Sequence, residues 1–483
     1  MSAPALAPAP EPTTGPGTGA NTGTHLTAMI ERAARDDYRR WLATTASAGG
    51  CSRPIRLHGQ VRDVNTTTVE IVRTFDTVSM PDGVIYTACG DRRASVCPAC
   101  AETYRADTYQ LVRAGIAGGK GVPESVALHP CVFATFTAPS FGPVHTRPTG
   151  PGGKPLRCRP RRKAVCCPHG RPMSCPQRHR DDDACLGRPI CAQCYDYDGT
   201  VVWNAHAPEL WRRTSIAICR RLDRLAKTRG GRVRLSYAKV AEFQARGLVH
   251  FHAIIRLDGT DPADKNRIIP PPLALGAEQL ADVIRDAAAV TWFATVDHPM
   301  HRGGWDIAWG RQLDIRTVRM TGSGQVTDTA VASYLAKYAT KSTEAIGAGT
   351  ARITAATLAI YGRPGTHQGR LIAAAWRLGH HPHEDFRALR RWAHMLGFRG
   401  HFSTKSRRYS TTLRALRSAR ATWRRRQTRT EDRLEEETTL VITALNYQGQ
   451  GWRTTADEYL ALSAAARARE HQRTARNEAA YTF

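Results

Sequence analysis

His250 and His252 are the residues of this sequence best suited, by type and spacing, to hold a metal ion. They lie in an apolar run that follows another apolar run, and the connecting residues 245–247 end in glycine. A three-residue loop with a left-handed glycine is a common hairpin connection. Because alternate side chains of a strand share a face, both imidazoles point to one side, and Glu242 faces His250 across the hairpin. The pattern predicts a divalent-cation site of two histidines and Glu242, with Gln244 on the same face as the alternative third ligand.

Two other interpretations of this stretch stay open. A two-residue turn at residues 246–247 would shift the register by one residue and move Glu242 to the opposite face. A single His-x-His pattern is also more often an ordinary half-exposed strand than a metal site.

Residues 327–343 are a second stretch whose side chains could take part in a reaction. They are predicted to form a helix with an N-cap near its start. Tyr334 and Tyr338 are four residues apart and share a helix face, with Lys337 and Lys341 beside them at the same spacing. Phenol and ammonium groups together suit an attacking oxygen and the phosphate that it attacks. The alternative is that the two tyrosines pack in the hydrophobic core and the two lysines are ordinary solvent-exposed residues.

The thirteen cysteines include paired Cys-x-x-Cys units, which in an intracellular protein bind zinc more often than they form disulfides. Cys97 and Cys100 form one such pair, and Cys51 and Cys89 are the best candidates to complete four thiolate ligands. The alternative is a set of buried free thiols.

A second cysteine-rich segment, residues 155–200, has too few aliphatic side chains to build its own core, so metal binding is the expected source of its folding energy. Cys191 and Cys194 are the clear pair. We favour Cys167 and Cys175 as the other two ligands. The alternatives within reach are His169, His179 and Cys185. Four protein ligands leave no open position, so this zinc is predicted to be structural.

The charge balance favours a polyanionic partner. The sequence has 69 Lys and Arg against 42 Asp and Glu, a net charge of +27, which favours nucleic acid over the competing membrane surface. No apolar run is long enough to span a bilayer, and residues 1–24 lack the features of a signal peptide. We therefore expect a cytoplasmic protein.

The basic residues concentrate near the C-terminus. Residues 399–429 contain eleven Lys or Arg and no Asp or Glu, with aromatic residues interleaved, a mixture that suits backbone phosphates and stacked bases. A charge run alone is more often solvated surface. The residues predicted to contact DNA are Lys405, Arg407, Arg408, Arg424, Arg425 and Arg426.

A metal hairpin, a tyrosine helix and a basic surface together specify phosphoryl transfer on DNA. A divalent ion would polarise a phosphate while a tyrosine oxygen attacks phosphorus and a 3′-hydroxyl leaves. The product is a 5′-phosphotyrosine, which keeps the phosphodiester energy, so the strand can be rejoined without ATP. Two tyrosines permit two successive transfers.

Three motifs in this order resemble those of rolling-circle replication initiators of the HUH endonuclease class, most closely the Rep proteins of actinobacterial plasmids and integrative elements. Residues 133–142 resemble the first motif of the class, residues 250–252 its metal-binding motif, and residues 334–341 its catalytic motif in the two-tyrosine form. The cysteine pairs and residues 400–406 are similar to the actinobacterial branch in particular.

The resemblance implies an α+β fold: an HUH endonuclease domain with a central five-stranded antiparallel sheet flanked by helices, zinc-binding insertions and a basic helical C-terminal region. It implies Mg²⁺ or Mn²⁺ as the catalytic cofactor and structural Zn²⁺. Tyr334 would nick the origin, Tyr338 would serve the later strand transfer, and Lys337 would stabilise the phosphate or orient the metal site. The implied partners are plasmid origin DNA, single-stranded or supercoiled, and host helicase and polymerase.

Two other functional interpretations fit part of the same sequence features. An HUH relaxase or transposase would use the same chemistry on a different DNA substrate. A non-catalytic zinc-containing DNA-binding regulator, in which the tyrosines are core residues, belongs to a different functional class.

The expected organisation has five parts. These are a disordered tail (1–24), a zinc-knuckle module (25–125), the endonuclease domain (126–345) with its cysteine-rich insertion (155–200), a helical basic DNA-binding region (346–430) and a helical tail (431–483).

Overall fold

In the computed structural model of the protein, the predicted hairpin lies at the centre of an antiparallel sheet. The structure describes residues 22–163, 165–229, 231–318, 328–341, 352–428 and 439–481. The helices are α1 (Thr22–Ala33), α2 (Tyr38–Thr45), α3 (Pro98–Ala117), α4 (Tyr197–Lys227), α5 (Ala277–Val290), α6 (Asp328–Lys341), α7 (Ala355–Tyr361), α8 (His367–Leu378), α9 (Glu384–Arg391), α10 (Leu413–Thr428) and α11 (Thr455–Tyr481). The strands are β1 (Ile55–Asn65), β2 (Ile71–Asp76), β3 (Ile85–Thr87), β4 (Cys131–Phe136), β5 (Val233–Phe243), β6 (Val249–Thr260), β7 (Ile268–Ile269), β8 (Trp292–Ala294), β9 (Asp306–Ala308), β10 (Leu313–Thr317), β11 (Ser403–Lys405) and β12 (Thr439–Gln450).

The chain divides into two compact units. The first comprises Met1–Asp91, Cys97–Cys100 and Asp432–Phe483, and the second comprises Arg92–Val96 and Ala101–Glu431. In the first unit β1 pairs antiparallel with β12, β2 and β3. The predicted tail at 431–483 is therefore not helical throughout, because residues 439–443, four of which are β-branched, pair with β1, far away in sequence.

The sheet of the second unit has the strand order β10-β4-β6-β5-β11, with the short β7 on β6, and every pairing is antiparallel. Most residues of β5 and β6 are buried, since helices cover both faces of the sheet. The region 346–430, predicted to be helical, supplies β11 to the edge of this sheet. The fold is mixed α+β, as predicted, with antiparallel sheets and helices.

The two faces of this sheet pack against different helices. On one face α4, α5, α8 and α9 form the large core, to which Trp211 and Phe251 contribute. On the other face α3 and α6 pack against Val240 and Ile254. Cys131 lies buried in this smaller core. Because His250 and His252 share the face of Ile254, α6 is the helix that lies over the predicted metal site.

A fully buried ion pair anchors β6 next to the same core. Arg256 and Asp258 have no exposed side-chain area and are joined by two hydrogen bonds of 2.7 and 2.9 Å. Asp258 also contacts His129 Nδ1 at 2.8 Å and accepts from Ser236 Oγ at 2.6 Å. The carboxylate thus satisfies three polar neighbours that have no access to water.

Replacing Asp258 with alanine should destabilise the second unit by about 3–5 kcal/mol, because it leaves the Arg256 guanidinium buried without a counter-charge. Urea unfolding monitored by tryptophan fluorescence measures the loss. The control is Asp314→Ala, which removes the exposed partner of Arg316 and should cost no more than about 1 kcal/mol. If both variants lost the same free energy of unfolding, the buried pair would contribute no more to stability than the exposed one.

Candidate active site

The hairpin has the predicted register. Glu242 is the Cα partner of His250, and Gln244 N donates to Leu248 O at 2.8 Å across a three-residue loop. Gly247 closes that loop with a φ of 79°, a left-handed conformation that favours glycine. The two-residue turn is therefore not formed, and Glu242 lies on the histidine face.

Three ligand atoms converge on this face. Glu242 Oε2 lies 3.0 Å from His250 Nε2 and 3.1 Å from His252 Nε2, and the two Nε2 atoms are 3.1 Å apart. Ligands about 2.1 Å from an octahedral ion, at right angles to one another, are about 3.0 Å apart. The three atoms therefore fit one face of an octahedral magnesium or manganese site, with the remaining positions open to water or a phosphate oxygen.

The second ring nitrogen of each histidine also has a neighbour that orients the ring. Thr135 Oγ1 on β4 lies 3.1 Å from His252 Nδ1, and Gln244 Nε2 lies 3.5 Å from His250 Nδ1. Metal-binding histidines are usually held in this way by a partner at the other nitrogen. Glu242 Oε2 is thus the oxygen that faces both Nε2 atoms, whereas Gln244 lies at the other nitrogen of His250. Thr135 was not predicted to belong to the site, although it is the antiparallel partner of His252 on β4.

The electrostatics of the group favour a negatively charged Glu242. Burial raises the pKa of this carboxyl, but hydrogen bonds and charge interactions with His250 and His252 outweigh burial and hold the pKa below its usual value. Burial lowers the pKa of His252 and thereby favours the neutral imidazole, the form that binds metal. A carboxylate with neutral imidazole is the protonation state that a cation requires.

Tyr334 projects from α6 towards the ligand atoms. Val331 and Leu335 are buried against the sheet, and Tyr334 lies at the edge of this contact, 36% exposed. Its hydroxyl oxygen is 3.3 Å from His252 Nε2. Phe133 stacks on the His252 ring with centroids 5.9 Å apart and meets the Tyr334 ring edge-on at 5.6 Å. The phenol oxygen therefore lies beside the converging ligand-type atoms, on a side chain that is partly exposed.

Of the other three predicted catalytic residues, only Lys337 has a side chain within the described part of the structure. Lys337 is exposed on α6, three residues after Tyr334 and so on a neighbouring part of the same helix face. Tyr338 and Lys341 belong to α6, but their side chains lie outside the described residues.

The first cysteine group comes together as predicted. Cys89 Sγ is 3.6 Å from Cys100 Sγ, Cys97 Sγ is 3.7 Å from Cys51 Sγ, and all four sulfurs lie within 4.8 Å of one another. Sulfurs bound to one tetrahedral zinc are about 3.8 Å apart, whereas a disulfide requires about 2.05 Å. The spacing fits a four-thiolate zinc site in the first unit.

The second cysteine group differs from the prediction in one ligand. His169 Nδ1 lies 3.2 Å from Cys194 Sγ and 3.8 Å from Cys191 Sγ, and Cys167 completes the group. Cys175, which we had favoured, is not a member of this group, because its sulfur lies with His145, Cys158 and His179 instead. Several ligand types occur within this short segment, so spacing alone did not separate them.

The residues predicted to contact DNA differ from one another in exposure and in hydrogen bonding. Lys405 Nζ donates to Ser410 O at 2.8 Å and to two further carbonyl oxygens, and burial lowers its pKa. Lys405 therefore holds its own loop together and is not an exposed phosphate ligand. Arg407 is exposed, whereas Arg408 donates to Asn266 Oδ1 at 2.9 Å. Arg424, Arg425 and Arg426 belong to α10, but their side chains lie outside the described residues.

In the part of the chain that the structure describes, no helix combines the length and the apolar character needed to cross a bilayer.

Two comparisons with known proteins both find replication initiator proteins. Residues 37–466 match the family model RepSA, described as the replication initiator protein of pSAM2. The chain is also 41% identical over 472 residues to a replication initiator protein of Streptomyces ambofaciens, a match that covers 94% of this chain and 95% of the relative. No solved structure shows significant similarity.

Proposed function

Because this chain belongs to the RepSA family of replication initiator proteins, we propose that it starts rolling-circle replication of a plasmid by nicking one strand at the origin. One observation carries the proposal: the Tyr334 hydroxyl lies 3.3 Å from His252 Nε2, within the group formed by Glu242, His250 and His252. A nucleophile beside a facial set of metal ligands is the arrangement that a metal-dependent tyrosine nickase requires.

In the proposed reaction the Tyr334 oxygen attacks the phosphorus of the scissile phosphodiester. The new Tyr–O–P bond replaces the P–O3′ bond, the phenolic proton is lost to solvent, and the departing 3′ oxygen takes up a proton. Mg²⁺ or Mn²⁺ held by Glu242, His250 and His252 would supply Lewis-acid polarisation of the phosphate. The free 3′-hydroxyl primes synthesis, and the 5′-phosphotyrosine retains the energy needed for rejoining.

The surroundings of the site suit a DNA substrate. Lys337 lies exposed near Tyr334 and provides a positive charge for the phosphate backbone, and the net charge of +27 favours DNA in general. On this proposal Tyr338 and Lys341 serve the second transfer, and Arg407 with α10 contributes to the DNA surface. Host helicase and polymerase would act after the nick.

The proposed zinc ions are structural. One would be held by Cys51, Cys89, Cys97 and Cys100, and another by Cys167, His169, Cys191 and Cys194. Each group supplies four protein ligands, so neither leaves a position for a substrate.

The test is to incubate the full-length protein and Mn²⁺ with supercoiled plasmid that carries its own replicon, and with the same plasmid after deletion of the origin. We expect open circles, with protein attached to the 5′ end of the nick, from the first plasmid alone, and no product in EDTA. Equal nicking of both plasmids would favour a relaxase or transposase. Specific binding without a nick under any metal would support the DNA-binding regulator.

A further inference from the structure

We propose that the cysteine-rich insertion holds a second zinc ion, bound by His145, Cys158, Cys175 and His179, and that this ion braces the turn of the β5–β6 hairpin. The four ligand atoms lie within 4.8 Å of one another. This site is separate from the one at Cys167, His169, Cys191 and Cys194, and it does not depend on the proposed nicking activity.

The burial pattern of the segment supports a metal. Between residues 145 and 190, with residue 164 outside the described part, the buried residues are Cys158, Cys175, His179 and Gly187. The interior of the segment is thus made of ligand-type side chains and a glycine, without aliphatic groups. Such a segment has little hydrophobic stabilisation, and metal binding can supply the missing folding free energy.

The distances suit tetrahedral zinc. Cys175 Sγ lies 3.5 Å from His179 Nε2, and Cys158 Sγ lies 4.0 Å from His145 Nδ1. Sulfur and nitrogen ligands at about 2.3 and 2.1 Å from a tetrahedral ion are about 3.6 Å apart, so the Cys175–His179 distance matches and the Cys158–His145 distance is slightly longer. Two thiolates with two imidazoles form a ligand set that zinc prefers over Mg²⁺ or Ca²⁺.

The hydrogen bonds around the four residues are those of a metal site. Asp183 Oδ2 lies 2.7 Å from His179 Nδ1, which leaves Nε2 on the side of Cys175. A carboxylate at the outer nitrogen is the common partner of a zinc-bound histidine. Thr146 N donates to Cys158 Sγ at 3.2 Å, a contact that stabilises a thiolate. Cys185 Sγ lies 3.4 Å from Nδ1 and 3.8 Å from Nε2 of His179, but it is not one of the four mutually close ligand atoms of His145, Cys158, Cys175 and His179.

The site is connected to the catalytic hairpin. Gly187 N donates to His145 O at 2.9 Å, and Gly187, with a φ of 80°, lies against the hairpin turn. A side chain at position 187 would come within 2.4–2.6 Å of Ala245 and Arg246 backbone atoms. Arg246 Nε in turn donates to Gln244 Oε1 at 2.8 Å, next to His250. A zinc ion at His145 would therefore fix the backbone on which the hairpin turn rests.

The test measures zinc in the full-length protein by native mass spectrometry and elemental analysis. Cys175→Ser and His179→Ala should each bind one zinc fewer than the parent protein, while Cys185→Ser should bind as many as the parent. An unchanged zinc content in Cys175→Ser, with the protein folded, would overturn the proposal.

Because Cys175→Ser can fail to fold, the unmodified protein provides a second measurement. Alkylation followed by mass spectrometry should find Cys158 and Cys175 protected in the zinc-loaded protein and reactive together after chelation. Cys131, buried in the hydrophobic core, should stay protected throughout, and the exposed Cys166 should react throughout. Protection of Cys158 and Cys175 that survives complete zinc removal, as for Cys131, would also overturn the proposal.

Discussion

Replacing Tyr334 with phenylalanine should reduce origin nicking by roughly three orders of magnitude or more, because the variant lacks the attacking oxygen. The substitution keeps the ring that packs against Phe133 and His252, so folding and specific DNA binding should be retained. The measurement is the initial rate of open-circle formation, with origin binding followed in parallel by gel shift.

The matched control for this variant is Tyr361→Phe. Tyr361 lies at the end of α7 and is 37% exposed, nearly the same as the 36% of Tyr334. Nicking by Tyr361→Phe should equal that of the parent protein. Full nicking activity in Tyr334→Phe would remove Tyr334 from the mechanism and move the first attack to another residue, of which Tyr338 is the prime candidate.

Replacing Glu242 with glutamine should lower both Mn²⁺ affinity and nicking by about 100-fold or more, since the substitution removes the negative charge from the atom that both Nε2 atoms face. The side chain keeps its size, so the hairpin should retain its register. Isothermal titration with Mn²⁺ and nicking rates across a range of Mn²⁺ concentrations measure the two effects.

The comparison with Gln244→Ala separates the two candidate third ligands. Gln244 lies 3.5 Å from His250 Nδ1, on the far side of the ring from the converging atoms, so its loss should weaken Mn²⁺ binding less than Glu242→Gln does. The opposite order of effects would make Gln244 the ligand and Glu242 a supporting residue.

The parts of the site that the sequence predicted correctly depend on local geometry. The register of Glu242 with His250 follows from a three-residue loop with Gly247 at its end, and alternation along β6 then places His252 on the same face. The Cys97–Cys100 half of the first cysteine group was predictable for a related reason, since a Cys-x-x-Cys spacing holds two thiols close together. Cys51, which is 46 residues before Cys97, joins them only through the fold.

The parts that were missed depend on contacts between distant segments. The pairing of β12 with β1 joins residues at opposite ends of the chain, and a single sequence contains no local signal for it. Whether His169 or Cys175 joins Cys167, Cys191 and Cys194 depends on how an insertion with little regular structure folds, which spacing along the chain does not determine. Lys405 looked like a DNA contact by charge alone, but three backbone carbonyl oxygens accept its hydrogen bonds.

The proposed tyrosine nickase is tested most directly by identifying the residue that becomes attached to DNA. A single-stranded oligonucleotide carrying the nick site is incubated with the protein and Mn²⁺, the covalent product is digested with trypsin and nuclease, and the modified peptide is sequenced by mass spectrometry. We expect a nucleotide 5′-phosphate on Tyr334, with no adduct in the presence of EDTA. A modified residue outside α6, or cleavage without any covalent intermediate, would contradict it.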